Sequence, residues 1–114
     1  MTVDEVRAFA LSLPEATEEP HFDMASFRIR GKIFCTVPPG DDRIHVFVEE
    51  DEIRALAAAD PSVFEEVWWG RKLSGLRVHL AAAEPEQVQE LLEDSWRRRA
   101  PKRVLAAYDD REKD

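Results

Sequence analysis

The chain has 114 residues, 44% of them hydrophobic, with one cysteine and a formal net charge of −8 from 24 acidic and 16 basic side chains. That length supports one hydrophobic core, no apolar run approaches the roughly 20 residues of a membrane span, and the acidic field opposes nonspecific binding to DNA, which normally rests on basic patches. A lone Cys35 forms no internal disulfide, and the acidic, amphipathic N-terminus lacks the basic segment of a signal peptide, so a cytoplasmic protein is expected.

Thr2 with Glu5 three residues later makes a capping box, and Val3, Val6, Phe9, Ala10 and Leu13 fall on one helical face until Pro14. A first helix is predicted at about 2–12. A polar connection, PEATEEPHFDMA, follows. Next comes SFRIRGKIFCTV, residues 26–37. Phe27 and Ile29 alternate with Arg28 and Arg30 before Gly31, and Ile33, Cys35 and Val37 alternate with Phe34 and Thr36 after it. This is a β-hairpin, with Gly31 where a tight turn needs a positive φ. Pro38-Pro39-Gly40-Asp41-Asp42 ends its second strand, and Ile44, Val46 and Val48 alternating with His45 and Phe47 give a third.

Glu49 to Glu52 supply four carboxylates to the first turn of a second helix, where they complement its dipole, and Asp60-Pro61 closes it. Phe64–Trp69 and Leu73–Leu80 read as a fourth and a fifth strand joined through Gly70-Arg71-Lys72. Pro85 opens a third helix with Val88, Leu91, Leu92, Ser95 and Trp96 on its core face. Beyond Pro101, Val104, Leu105 and Tyr108 suggest a short fourth helix before a charged tail, 109–114. The expected fold is a single α+β domain over 1–114, of order α-βββ-α-ββ-α-α. Its antiparallel sheet of about five strands, in two hairpin units, carries helices on one face.

The basic charge leans towards the C-terminus: residues 1–57 hold 6 basic and 12 acidic side chains, residues 58–114 hold 10 and 12. Arg97, Arg98, Arg99, Lys102 and Arg103 place five cations in seven residues, a candidate phosphate clamp. Cations in the last turn of a helix also complement its dipole and pair with acids such as Glu93 and Asp94. Arg28, Arg30 and Lys32 on the first hairpin, with Arg71 and Lys72 on the second, make two basic tips that a winged DNA reader uses; charged hairpin edges equally discourage aggregation. Trp68 and Trp69 point to opposite faces of a strand, so one is expected in the core and the other facing out or covering an edge; an outward one can stack on a base or anchor a partner, though packing in the core or on an edge is the commoner fate of both.

No catalytic constellation, metal-ligand spacing or Gly-rich phosphate loop stands in the sequence, so neither an enzyme nor a cofactor is expected. His45 and His79 share a sheet face only if their strands are neighbours. His21 lies on a loop among Glu18, Glu19 and Asp23, which with Glu49–Glu52 form at most a weak cation-binding ridge.

Leu13-Pro14, Glu18-Glu19-Pro20-His21-Phe22, the hairpin Ser26–Phe34, Glu90-Leu91-Leu92-Glu93-Asp94-Ser95-Trp96 and Ala100-Pro101-Lys102 together resemble the MmcQ/YjbR-like family of small bacterial proteins. The resemblance implies a double-wing, frataxin- or CyaY-like fold and a DNA-binding label drawn from shape. Members tend to carry a tryptophan at the start of the last strand, where this chain has Ser74-Gly75; its own aromatics concentrate at Trp68-Trp69. Two functions follow as expectations: a DNA-binding module using the hairpin tips and the 97–103 cluster, or a module binding a protein or small molecule through His21, Phe47, Trp68 and Trp69 on the open sheet face. Either acts away from membranes, as a monomer or weak dimer.

Overall fold

A computed structural model describes residues 1–112. The chain runs α1 (Val3–Ser12), β1 (Ala16–His21), β2 (Met24–Ile29), β3 (Lys32–Val37), β4 (Arg43–Val46), α2 (Glu50–Ala59), β5 (Phe64–Trp69), β6 (Lys72–His79), α3 (Pro85–Arg99) and α4 (Lys102–Glu112). Six antiparallel strands form one sheet in the order β1-β2-β3-β4-β6-β5. The two hairpin units fuse because β4 pairs with β6, Ile44 opposite Val78 and Val46 opposite Leu76.

The sixth strand, β1, lies in the stretch read from sequence as a polar connection. It pairs with β2 from Ala16 opposite Ile29 to His21 opposite Met24. As an edge strand with most side chains in solvent, it has no apolar alternation to betray it. Its unpaired side tolerates Pro20, and its charges guard the edge.

The helices follow their sequence signals. Thr2 Oγ1 accepts from the Glu5 N–H while Glu5 Oε1 accepts from the Thr2 N–H, and that backbone bond holds the Glu5 carboxyl below its ordinary range. Such a cap contributes about 1 kcal/mol. Helix α3 lies across β2, β3 and β4, α2 covers β5 and β6, and α1 packs on β1 and α3. Trp96 is fully buried, donates from Nε1 to the Pro14 carbonyl at 3.1 Å and meets Tyr108 edge-on, ring centroids 5.0 Å apart. The burial of so large a ring with its one N–H satisfied ties α3 to the end of α1 and to α4. Helix α4 runs to Glu112, so residues 109–112 of the expected charged tail are helical; residues 113–114 lie outside the described residues.

The central hairpin turns at Arg30 (φ 52°) and Gly31 (φ 80°). Its alternation is broken once. Phe27 faces Cys35 and Arg28 faces Ile33, which leaves Phe34 as an extra, bulged residue. Phe34 therefore joins Cys35 in the core, while Ile33, expected in the core, lines the opposite face. Cys35 is fully buried, and desolvation pushes its thiol pKa up, away from reactivity. Among the described residues no helix is long and apolar enough to cross a membrane.

Candidate ligand-binding cleft on the open sheet face

The helices cover one face of the sheet, and the other is crossed by a single polar row. Glu19 on β1 stands opposite Ser26, Ser26 opposite Thr36, Thr36 opposite His45, His45 opposite Arg77, and Arg77 opposite Glu65 on β5. Cross-strand partners share a face, so six polar residues from six strands form one line. Arg77 Nε donates to His45 Nε2 at 3.2 Å, and Arg77 also pairs with Glu65 at 3.7 Å. Glu65 in turn bonds His79 Nε2, and this bond above all holds the Glu65 carboxyl low. Burial, then the Arg77 and Arg43 charges, push the His45 pKa down to about 4. His45 is therefore neutral at pH 7. Since its Nε2 accepts from Arg77, its proton sits on Nδ1.

Beside this row lies a cleft of about 490 Å³, walled by Met24, Ile33, Phe47, Val67 and Trp69 and edged by His21, Arg28, Lys32, His45 and Arg99. A second hollow shares Phe47, Trp69, Ser74 and Arg99 with it and adds Lys72 and Arg98. Apolar walls with a few convergent polar groups are the usual make-up of a binding site.

The last turns of α3 fix the floor. Ser95 Oγ accepts from the Phe47 N–H at 2.9 Å and donates to the Phe34 carbonyl, two backbone groups lying where the β3–β4 ladder stops. Arg98 donates to the Phe47 carbonyl at 2.8 Å, and the Arg99 guanidinium lies 5.9 Å from the Phe47 ring centre. One residue of β4's end is thus held by three of α3. The Arg99 Nε is buried and has no hydrogen-bond partner.

The ten cations singled out from sequence do not all share one hollow. Arg28, Lys32, Lys72, Arg98 and Arg99 line the two adjoining hollows, and both hairpin tips therefore flank one concavity. Arg28 is partly engaged, donating to Ser26 Oγ at 3.0 Å with Glu19 3.8 Å away, and Arg98 pairs with Glu49 at 3.4 Å. Arg30 binds Glu15 through two bonds, of 2.7 and 3.2 Å. Arg97 is held by Asp109 at 2.7 Å and Glu93 at 3.3 Å beside the Tyr108 ring, so its pKa is raised, by the Asp109 bond first. Arg103 borders a separate hollow with Pro14, Glu15 and Tyr108, while Arg71 and Lys102 are exposed. The 97–103 cluster is therefore divided, with Arg98 and Arg99 at the cleft and Arg97 spent on structure.

Of the aromatic candidates, His21, Phe47 and Trp69 meet in the cleft and Trp68 does not. The expectation that one tryptophan fills the core is wrong: Trp68 is 45% and Trp69 77% exposed. Both sit at the tip of the edge strand β5, where Trp68 lies on the helix side against Arg54 of α2, its ring centre 5.7 Å from the guanidinium, beside a hollow that the small Ala57 and Ala58 of α2 leave open. His45 and His79 do share a face, as neighbouring strands allow, but among the described residues no group of His, Cys, Asp or Glu is arranged to hold a metal. Sequence reasoning missed Ser95 as the peg under Phe47, and Phe22, which is 90% exposed with a φ of 58° in the β1–β2 turn. The sequence signal for Phe22 was its place between His21 and Asp23; for Ser95 it was a lone hydroxyl on an apolar helix face.

A family model described as YjbR matches residues 11–98. Among solved structures, the chain is similar to the Deinococcus radiodurans protein DR2400, whose domain is described as DUF419, with a TM-score of 0.73 and 22% identity over 83% of this chain and 75% of that one. That likeness is one of fold. No curated protein matches the chain.

Proposed function

We propose that this chain, which belongs to the YjbR family, works as a non-catalytic nucleic-acid-binding module that holds a single strand across the cleft of its open sheet face. The observation that carries this reading is the gathering of Arg28, Lys32, Lys72, Arg98 and Arg99 around Trp69 and Phe47. A cationic groove with an exposed aromatic platform is the recurring means of holding single strands, with each base stacked on an aromatic ring contributing about 1–3 kcal/mol. Stacking also suits a chain of charge −8, because it depends less on the whole-molecule field than phosphate contacts to a duplex do. Arg30 and Arg97 are held by carboxylates and Arg103 borders a separate hollow, which argues against a duplex clamp built on the entire 97–103 cluster.

The test is fluorescence anisotropy of a labelled oligothymidylate and of a labelled duplex, titrated at several salt concentrations. Binding of the single strand in preference to the duplex, with a log affinity that falls with log salt and falls less steeply for a Lys32→Ala/Lys72→Ala variant, supports the module. Equal indifference to both at low salt removes it. The same cleft, with its volume and apolar walls, then fits the second reading, a module for a small molecule or a protein side chain.

A further inference from the structure

We infer that the cleft contains a subsite for one nucleotide, with the base stacked on Trp69 and the phosphate paired to the Arg99 guanidinium. This rests on the nucleic-acid reading of the cleft and names the smallest ligand that the site recognises.

Three observations carry it. The Arg99 guanidinium has no ion pair among the described residues, and its Nε is buried without an acceptor. The Nε is turned inward, so it is the two terminal nitrogens, which also form no ion pair, that face a ligand, and an anion with paired oxygens is the partner that a planar guanidinium accepts best. The side chain is nevertheless held in place, over the ring of Phe47, so it needs little reordering to bind. A base also has a surface to lie on. Trp69 projects from the β5 tip on the same side of the sheet as Arg99, largely in solvent, and shares both hollows with it. Phe47 does not compete for the base, because its ring already rests against Gly75 on one side and near Arg99. Finally, the cleft offers edge recognition: neutral His45, a cleft-lining residue, carries its proton on Nδ1 and so presents an N–H donor, and the Thr36 side chain lines the same wall. Apolar stacking, one organised cation and a neutral donor together select a ring bearing an anion over either part alone.

The experiment is isothermal titration of the full chain with 5′-AMP, adenosine and inorganic phosphate, repeated with Arg99→Ala and Trp69→Ala, with oligothymidylate anisotropy run in parallel on the same proteins. Both substituted residues lie outside the core, and circular dichroism checks that each variant folds. The expected result is saturable AMP binding at least ten-fold tighter than adenosine or phosphate. Arg99→Ala removes the advantage over adenosine, and Trp69→Ala the advantage over phosphate. If AMP binds no better than adenosine, or if either variant binds AMP as the parent does, the subsite is wrong. AMP failing while oligothymidylate binds also overturns the subsite and leaves the strand-binding reading standing. AMP binding while oligothymidylate fails keeps the subsite and assigns it to a free nucleotide. Failure of both ligands overturns both.

Discussion

The ring of Phe47 rests on Gly75, where a Cβ would come 3.2 Å from its Cδ1 and Cε1 and 3.0 Å from the Val46 carbonyl oxygen. The constraint at this glycine is one of space and not of φ. Gly75→Ala therefore has to move a strand carbonyl or lift the ring from the cleft floor. Overpacking of this kind costs about 1–3 kcal/mol. Urea denaturation should show the loss as a lower midpoint with an unchanged slope; an unchanged midpoint would mean that the ring is free to move aside.

Ser95 gives a second prediction. Its hydroxyl, buried between α3 and the sheet, is the hydrogen-bond partner of both the Phe47 N–H and the Phe34 carbonyl. Ser95→Ala leaves both groups without that partner at a cost of roughly 1–3 kcal/mol for each that stays dry. Hydrogen exchange at the Phe47 amide should accelerate beyond the global loss of stability. Protection there that falls only with global stability would show that another group takes the hydroxyl's place.

Where side chains alternate between core and solvent, the sequence was legible: the hairpin at Arg30-Gly31 and the faces of α1 and α3 stand where periodicity put them, and the strand expected over Ile44–Val48 forms as Arg43–Val46, two residues shorter at its end. Periodicity failed where the core was not the deciding force. β1 is an edge strand that keeps its acids and Pro20 in water, and its identity rests on backbone pairing with β2. The bulge at Phe34 reversed Ile33, and one extra residue leaves no compositional mark. The cleft was half legible. Phe47, Trp69, Arg28, Lys32 and Arg99 were all candidates, but their meeting depends on the β4–β6 pairing that joins the two hairpin units, and no local pattern encodes that register.

The pH dependence of stability follows from His45. Its pKa is about 4 in the folded chain, against 6.5 for an ordinary histidine. Between these values the unfolded chain binds the proton and the folded chain does not, so the stability present above pH 6.5 is progressively lost as pH falls towards 4. Glu65, held low mainly by its bond to His79, acts in a lower window, losing its contribution as pH drops below the ordinary carboxyl value of 4.5. His45→Gln keeps an acceptor for Arg77 and carries no titrating proton. Its stability should fall less than the parent's between pH 6.5 and 4.5, with the two curves parallel above pH 7. Parallel curves throughout would show that His45 protonates as readily folded as unfolded.

Adjacent arginines at the end of α3 should separate stability from binding. Arg97 joins α3 to α4 through Asp109 and lies beside Tyr108, with Glu93 one turn away; its carboxylate partners are well placed and only partly exposed. Arg97→Ala should therefore lower stability by about 1 kcal/mol, in the upper range for partly exposed pairs and with some loss of packing. Oligothymidylate affinity should stay as in the parent, because Arg97 takes no part in the cleft. Arg99 has the opposite profile. It forms no ion pair among the described residues and leaves a buried Nε unmade, so Arg99→Ala should change stability little. Its loss should weaken strand binding by about ten-fold, the effect of one charged hydrogen-bonded contact. Thermal denaturation and anisotropy on the two variants resolve the matter. If Arg97→Ala weakens binding as much as Arg99→Ala does, the cations of 97–103 act as one patch and the division seen in the fold has no functional meaning.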